Sequence, residues 1–152
     1  MKTLARAADK AEIVRRLEAL RPTSTRRWGR MSAHQVVCHL SDSFRMCLGQ
    51  KESRPRESWL WKTVVKPIAL YTPIPWPRGV QTRPELDQEC GGTKPEEFSA
   101  DLASLVVLLE SVTATPPPFA GRSHPSFGPM SDAAWLRWGY LHMDHHLRQF
   151  GA

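Results

Sequence analysis

Proline constrains this chain more than any other residue. Its ring fixes φ, removes a backbone donor and breaks a helix interior. The thirteen prolines are spread unevenly: seven lie between Pro55 and Pro95, five between Pro116 and Pro129, and Pro22 stands alone. The stretches 1–21, 23–54, 96–115 and 130–152 contain none. Four proline-free stretches predict four helices, and each stretch also carries apolar residues at helical spacing.

Helix 1 is expected over about residues 8–21, with Ile13, Leu17 and Leu20 on one face. Helix 2 opens at Ser32 with Gln35 three residues on, a capping-box pattern, and Gly49 is its stop. Its stripe is Ala33, Val37, Leu40, Phe44 and Cys47. Helix 3 starts near Pro95, a good first-turn residue, with Glu96 and Glu97 complementing the helix dipole. Phe98, Leu102, Leu105, Leu109 and Val112 form its face. Helix 4 runs from Ser131-Asp132 to Phe150, before Gly151.

The segment 55–94 is different. Trp59 to Val65 predicts a short helix that ends before Pro67, because a residue preceding proline disfavours helix. Beyond it, the Pro-rich run 72–79 is expected to be an ordered extended crossover, with Ile74 and Trp76 packed. No segment shows a convincing strand alternation. The fold class is therefore all-α: one domain over 1–152, a four-helix bundle with a long Pro-rich crossover between helices 2 and 3.

Composition excludes several classes. At 41% hydrophobic and 24% charged, the chain is an ordinary globule rather than a disordered tail. No apolar run approaches the ~18 residues of a membrane span, and the start turns polar before a signal-peptide core could form. Cys38, Cys47 and Cys90 are odd in number and lack CxxC spacing, which fits reduced thiols and a cytoplasmic location. The formal charge is +6. Residues 1–30 hold nine Lys/Arg and three Asp/Glu, so the whole excess sits there and the remainder is neutral. Arg15, Arg16, Arg21, Arg26, Arg27 and Arg30 are the candidates for a nucleic-acid surface. No recognised binding motif accompanies them, so nucleic acid is the weaker expectation.

Helix 4 carries the chemistry. On a helical wheel His142 centres one face, with Trp135, Trp138, Gly139, His145, His146, Gln149 and Phe150 within roughly 80° of it. Imidazoles stand where leucine would be normal. Burying several without partners is costly, and metal binding is one resolution. His142 and His146, at i and i+4, project from one face and can reach one ion. No Glu makes an HExxH motif, so metalloprotease chemistry is not implied. A third ligand is needed from elsewhere. Helix 2 offers His34 and His39 on opposite flanks of its apolar stripe, and patterning alone does not choose between them. His124, in the loop 123–128, could cap the site or simply pack. Trp135 and Trp138 fit both a core and a pocket wall. Cys38 and Cys47 read as small buried hydrophobes rather than nucleophiles. No Gly-rich phosphate loop or GxSxG elbow occurs.

The segment from Trp28 through His39-Leu-Ser-Asp42, followed late in the chain by His142-Met-Asp-His-His146-Leu-Arg-Gln149-Phe150, resembles the DinB-like bundle superfamily. The likeness covers most of the chain. It is closest to an uncharacterised subgroup with a Trp-Pro-Arg-Gly stretch at 76–79, a Thr-Arg-Pro-Glu-Leu segment at 82–86, and His-Pro-Ser-Phe-Gly at 124–128. The resemblance implies an up-up-down-down four-helix bundle, often a homodimer. It implies a divalent-metal site made by His39, His142 and His146, and it is the resemblance that selects His39 over His34. His145 is then a pocket neighbour. Active members use the metal to activate water or a low-molecular-weight thiol, in thiol transferases and related isomerases; others have no known activity.

Two expectations follow, besides the nucleic-acid module. One is a metal-dependent transferase or hydrolase, with His145 or Asp42 orienting groups or moving a proton, and Trp135, Trp138 and His124 lining the pocket. The other is a non-catalytic bundle with a structural or vestigial metal site. Three histidines suit Zn, Ni, Fe or Mn alike. The small-molecule substrate is not legible.

Overall fold

The computed structural model describes residues 1–55 and 58–152. It is mostly helical, with one two-stranded sheet. The long helices α1 (Ala7–Ala19), α2 (Ala33–Leu48), α4 (Phe98–Val112) and α5 (Asp132–Gln149) lie in the four proline-free stretches. The crossover from α2 to α4 holds a π-helical turn, Trp61–Val65, the short helix α3, Lys66–Tyr71, and a 3₁₀ turn, Pro84–Leu86. Strands β1 (Ser123–His124) and β2 (Gly128–Pro129) pair antiparallel before α5.

Helix α2 is the hub. Ser32 and Gln35 form the expected capping box, and Gly49 ends the helix at φ 72°. Residues Val36 to Phe44 are all buried, because α2 packs against both α4 and α5. Ile13 and Leu17 of α1, Leu105 and Leu109 of α4, and Met143 and Leu147 of α5 complete one continuous core. Near the N-terminus, Leu4 packs over Gly139, where an added Cβ would meet the leucine at 2.8 Å. That close approach is why α5 carries a glycine in its interior despite the helix-propensity cost.

Several expectations need correction at the boundaries. Helix α1 stops at Ala19 rather than near 21, because Leu20 is already extended ahead of Pro22. Helix α4 begins at Phe98, not near Pro95. Glu97 is its N-cap and accepts hydrogen bonds from the Ser99 and Ala100 N–H groups, a stronger device than a dipole contact in the first turn. The short helix does not end before Pro67. The π turn leads directly into α3, where Pro67 occupies the first turn and its missing N–H is not needed. The chain is also not purely helical, since β1 and β2 are present. Two-residue strands are too short to show an alternating pattern. In the extended run, Trp76 packs and donates from Nε1 to the Ala69 carbonyl at 2.9 Å, whereas Ile74 is 62% exposed.

Asp42, expected as a proton-moving group, instead fastens the crossover to α2. Its fully buried carboxylate accepts from the Thr93 N–H and Thr93 hydroxyl, both at 2.7 Å, and from Gln88 Nε2 at 3.4 Å. Arg45 and Lys51 lie at 3.2 and 3.4 Å. The basic N-terminal region is likewise drawn into the fold. Arg16 pairs with Asp144 at 2.8 Å, Lys10 with Glu110 at 2.8 Å, and Arg30 with Asp87. Among the described residues no helix is long and apolar enough to cross a membrane.

Two outcomes follow from this packing. Asp42→Ala strands buried donors and a lysine–arginine pair, and should lower unfolding stability by about 3 kcal/mol; the midpoint of urea denaturation measures it. The second concerns His124, whose Nδ1 accepts from the Ser126 and Phe127 N–H groups, both at 3.1 Å. Burial first, then the charges of Arg83 and Lys66, bring its pKa down to about 3. The unfolded ring titrates near ~6.5. Its stabilising contribution is therefore complete above that value and is lost as pH falls toward 3. His124→Asn keeps an acceptor but does not titrate. It should lower the slope of stability against pH by up to ~1.4 kcal/mol per pH unit between these values, read from urea curves at several pH values.

Candidate metal centre

Two helices build the site. Helix α5 projects His142 and His146 one turn apart, and α2 projects His39 toward them. The rings stand edge to face: His39 lies 5.1 Å from His142 and 4.8 Å from His146 between centroids, and His142 lies 4.9 Å from His146. Their ligand nitrogens all fall within 4.8 Å of one another. His39 Nε2 is 3.2 Å from His142 Nε2.

Two tautomers are set by neighbours on the far side of the rings. His39 Nδ1–H donates to the Leu86 carbonyl at 2.8 Å, so its Nε2 lone pair faces the cluster. Gln149 Nε2 donates to the Trp28 carbonyl at 2.8 Å, which turns Oε1 toward His146. His146 Nδ1–H donates to that oxygen at 3.1 Å, so its Nε2 is also bare. Gly29 makes this arrangement possible. It sits at φ 77°, and a Cβ there would meet Gln149 Nε2 at 2.4 Å. Such far-side bonds orient an imidazole and raise its basicity toward a metal. His142 differs, because its buried Nδ1 has no hydrogen-bond partner among the described residues.

The electrostatics keep these rings neutral. Burial lowers the pKa of His39 below the usual imidazole value, opposed by the Leu86 carbonyl, Asp42 and Asp87. His142 is pushed far down by burial, then by the charges His146, His39, His145 and His124 would carry. His146 is pushed far down by burial, then by His39 and His145, with Gln149 opposing. Neutral imidazole is the ligating form. Three convergent neutral imidazoles, one of which must give up the N–H shared between His39 Nε2 and His142 Nε2, fit a first-row divalent ion.

The cluster lies in the wall of a cavity of about 640 Å³, within the range of small-molecule sites. Trp28, Trp61, Trp76 and Trp138 contribute aromatic surface, with Met31 and Phe127 beside them. His145 also lines it, between Trp28 and Trp76 at 6.1 Å from each ring. His124 lines it too. Trp135, expected as a pocket wall, is 2% exposed and stacks on Phe119 behind the cavity, so its place is in the core. Asp42 does not line the cavity either.

His34 takes the opposite side of α2. Its Nε2 meets Asp101 Oδ2 at 2.7 Å, and the Cys38 thiol donates to the same oxygen at 3.6 Å. Burial and Asp101 push the Cys38 thiol up to about 12, and burial also raises Cys47. Neither is a nucleophile at neutral pH.

Some functional residues escaped the sequence. Gln149 lay on the histidine face, but only its position three residues after His146 hinted at its role. The Leu86 carbonyl gave no signal, because a backbone acceptor is invisible to residue type. Trp28 and Trp61 reach the cavity from remote segments.

A family model described as "Protein of unknown function (DUF1569)" matches residues 3–152, and the chain belongs to that family. No curated protein and no solved structure matches the chain.

Gln149→Leu keeps the side chain's bulk but removes the acceptor that fixes His146. It should weaken divalent-metal affinity by about 10- to 100-fold, measured by competition with a chelating dye. Asp42→Ala, outside the cavity, should leave that affinity unchanged per folded molecule.

Proposed function

We propose that this DUF1569 member is a DinB-like four-helix bundle that holds a catalytic divalent metal on His39, His142 and His146. We further propose that it acts as a metal-dependent transferase or hydrolase on a small molecule bound in the adjoining cavity. The observation that carries the proposal is the convergence of three neutral imidazoles, two with their Nε2 lone pairs already directed, in the wall of a large aromatic cavity. Structural metal sites are closed by protein ligands, whereas catalytic ones keep open positions toward substrate. The cavity favours the catalytic reading over a structural or vestigial site.

When bound, the ion would supply Lewis acidity, activating water or a low-molecular-weight thiol, or polarising a carbonyl. The protein's own residues divide the remaining work. Leu86 and Gln149 orient two of the ligands. The aromatic walls bind the apolar part of a substrate and exclude water. His145 is partly buried, lines the cavity, and has a pKa lowered by burial and then by Arg148. It is therefore suited to accept a proton from a group entering the site. The up-up-down-down topology, a homodimer and a cytoplasmic location remain part of the same proposal.

The test is elemental analysis of protein purified without chelator. Wild type should carry about one divalent ion per chain, and His142→Ala and His146→Ala should each lose most of it. Returning a hundredfold excess of metal over Kd to stripped wild type should add about 2.7 kcal/mol of stability. Equal, sub-stoichiometric metal in all three proteins would reject the site. A thiol-transfer and ester-hydrolysis screen of the loaded protein then tests catalysis.

A further inference from the structure

The cavity has a charge feature that the metal site does not use. Among the described residues no Asp or Glu lines it, but two arginines do, Arg30 and Arg83. Arg30 is already paired with Asp87 and, at 3.4 Å, with Glu89, and its side chain is largely in solvent. Arg83 has no ion pair among the described residues. One of its terminal nitrogens donates to the Arg54 carbonyl, and its Nε is buried with no hydrogen-bond partner among the described residues. A charged group whose donors are left unmatched is costly, and Arg83 is only partly buried, so an anion that reaches the accessible part of its guanidinium is favoured. Arg83 lies close enough to His124, which also lines the cavity, for its charge to lower that ring's pKa.

Arg83 is also rigidly mounted. It precedes the 3₁₀ turn Pro84–Leu86, which Glu85 ties to the Arg54 N–H at 2.8 Å. Leu86 at the end of that turn holds the His39 ring. One short segment therefore presents an arginine and orients a metal-site imidazole, with two residues of chain between them and at most about 11 Å from Cα to Cα.

We propose that Arg83 anchors the anionic group of the substrate, and that the cavity takes a small amphipathic carboxylate. Its flat apolar body lies against the tryptophans and its carboxylate on the Arg83 fork. A planar carboxylate matches the guanidinium in a bidentate pair. The apolar walls, with Arg83 as the one lining cation that has no ion pair among the described residues, suit one negative charge better than a phosphate dianion. The inference rests on reading this cavity as the substrate site.

The test is calorimetric titration of the full-length protein with 2-naphthoate and its neutral isostere 2-naphthamide, in zinc-loaded and chelator-stripped protein. Wild type should bind the carboxylate about tenfold more tightly than the amide in both forms. Arg83→Gln should abolish that preference and leave the amide's affinity unchanged. Arg83→Lys, which retains a point charge, should keep part of it. Loss of both probes in Arg83→Gln with a lower melting temperature would assign Arg83 a structural role and overturn the proposal. So would binding of neither probe to wild type. A preference that survives Arg83→Gln but disappears on zinc removal would place the anion on the metal, which overturns the anchor and leaves the metal site standing. An Arg83-dependent preference in protein that takes up no zinc would do the reverse.

Discussion

The structure turns on the meeting of α2 and α5 through imidazole instead of hydrocarbon. A core made by His39, His142 and His146 is unfavourable unless each ring stays neutral and each nitrogen has a purpose. The fold meets that demand from outside the cluster. Leu86 arrives from the far end of the crossover to accept the His39 Nδ1–H hydrogen bond. Gln149 is pinned by the Trp28 carbonyl so that its oxygen can accept the His146 Nδ1–H hydrogen bond. The path of the crossover, the glycine at 29 and the register of α5 are all tied to these two hydrogen bonds. His142, whose Nδ1 has no partner among the described residues, is the ring with most to gain from coordination at Nε2.

Much of this was legible in the sequence, and what was missed has physical reasons. Proline distribution and 3.6-residue spacing found the four long helices, and the Ser32–Gln35 pair located the start of α2. The same proline rule failed at Pro67, because a π turn supplies a local helix start where the missing N–H is harmless. It misled again at Pro95, where the Glu97 side chain is a better terminator of the loop than a proline is a first residue. The histidine pair of α5 was visible from periodicity. The choice of His39 over His34 was not, since both flank the α2 stripe. Tertiary packing decides it: α4 presents Asp101 to His34, while α5 presents two imidazoles to His39. Asp42 shows the limit of reading a residue type as chemistry. Beside the site in sequence, it is spent on holding Thr93 and Gln88.

The +6 charge illustrates the same point from the other side. Its concentration in residues 1–30 suggested an external partner, but Arg16, Lys10 and Arg30 are engaged by carboxylates on α5, α4 and the crossover. Those pairs are partly exposed and individually weak. They tie α1 and the link into α2 to α5, α4 and the crossover. Among the described residues no carboxylate lines the cavity, and of its two lining arginines Arg30 is paired with Asp87 and Glu89 whereas Arg83 has no ion pair.

That segregation connects the cavity to the Pro-rich crossover. A flexible loop of this length would lose much conformational entropy on closing over a site, and would shield it poorly. Prolines at 73, 75, 77 and 84 fix φ in advance and reduce what must be lost. Trp76 is held by its bond to Ala69, and α3 by Arg137 Nε donating to the Leu70 carbonyl at 3.0 Å. The roof is thus tied down by the protein's own contacts. An aromatic roof fixed in this way lets binding energy go toward orienting a substrate instead of ordering the protein. The residues that made this chain hard to read as a regular fold are therefore the ones that give its histidines an enclosed place to act.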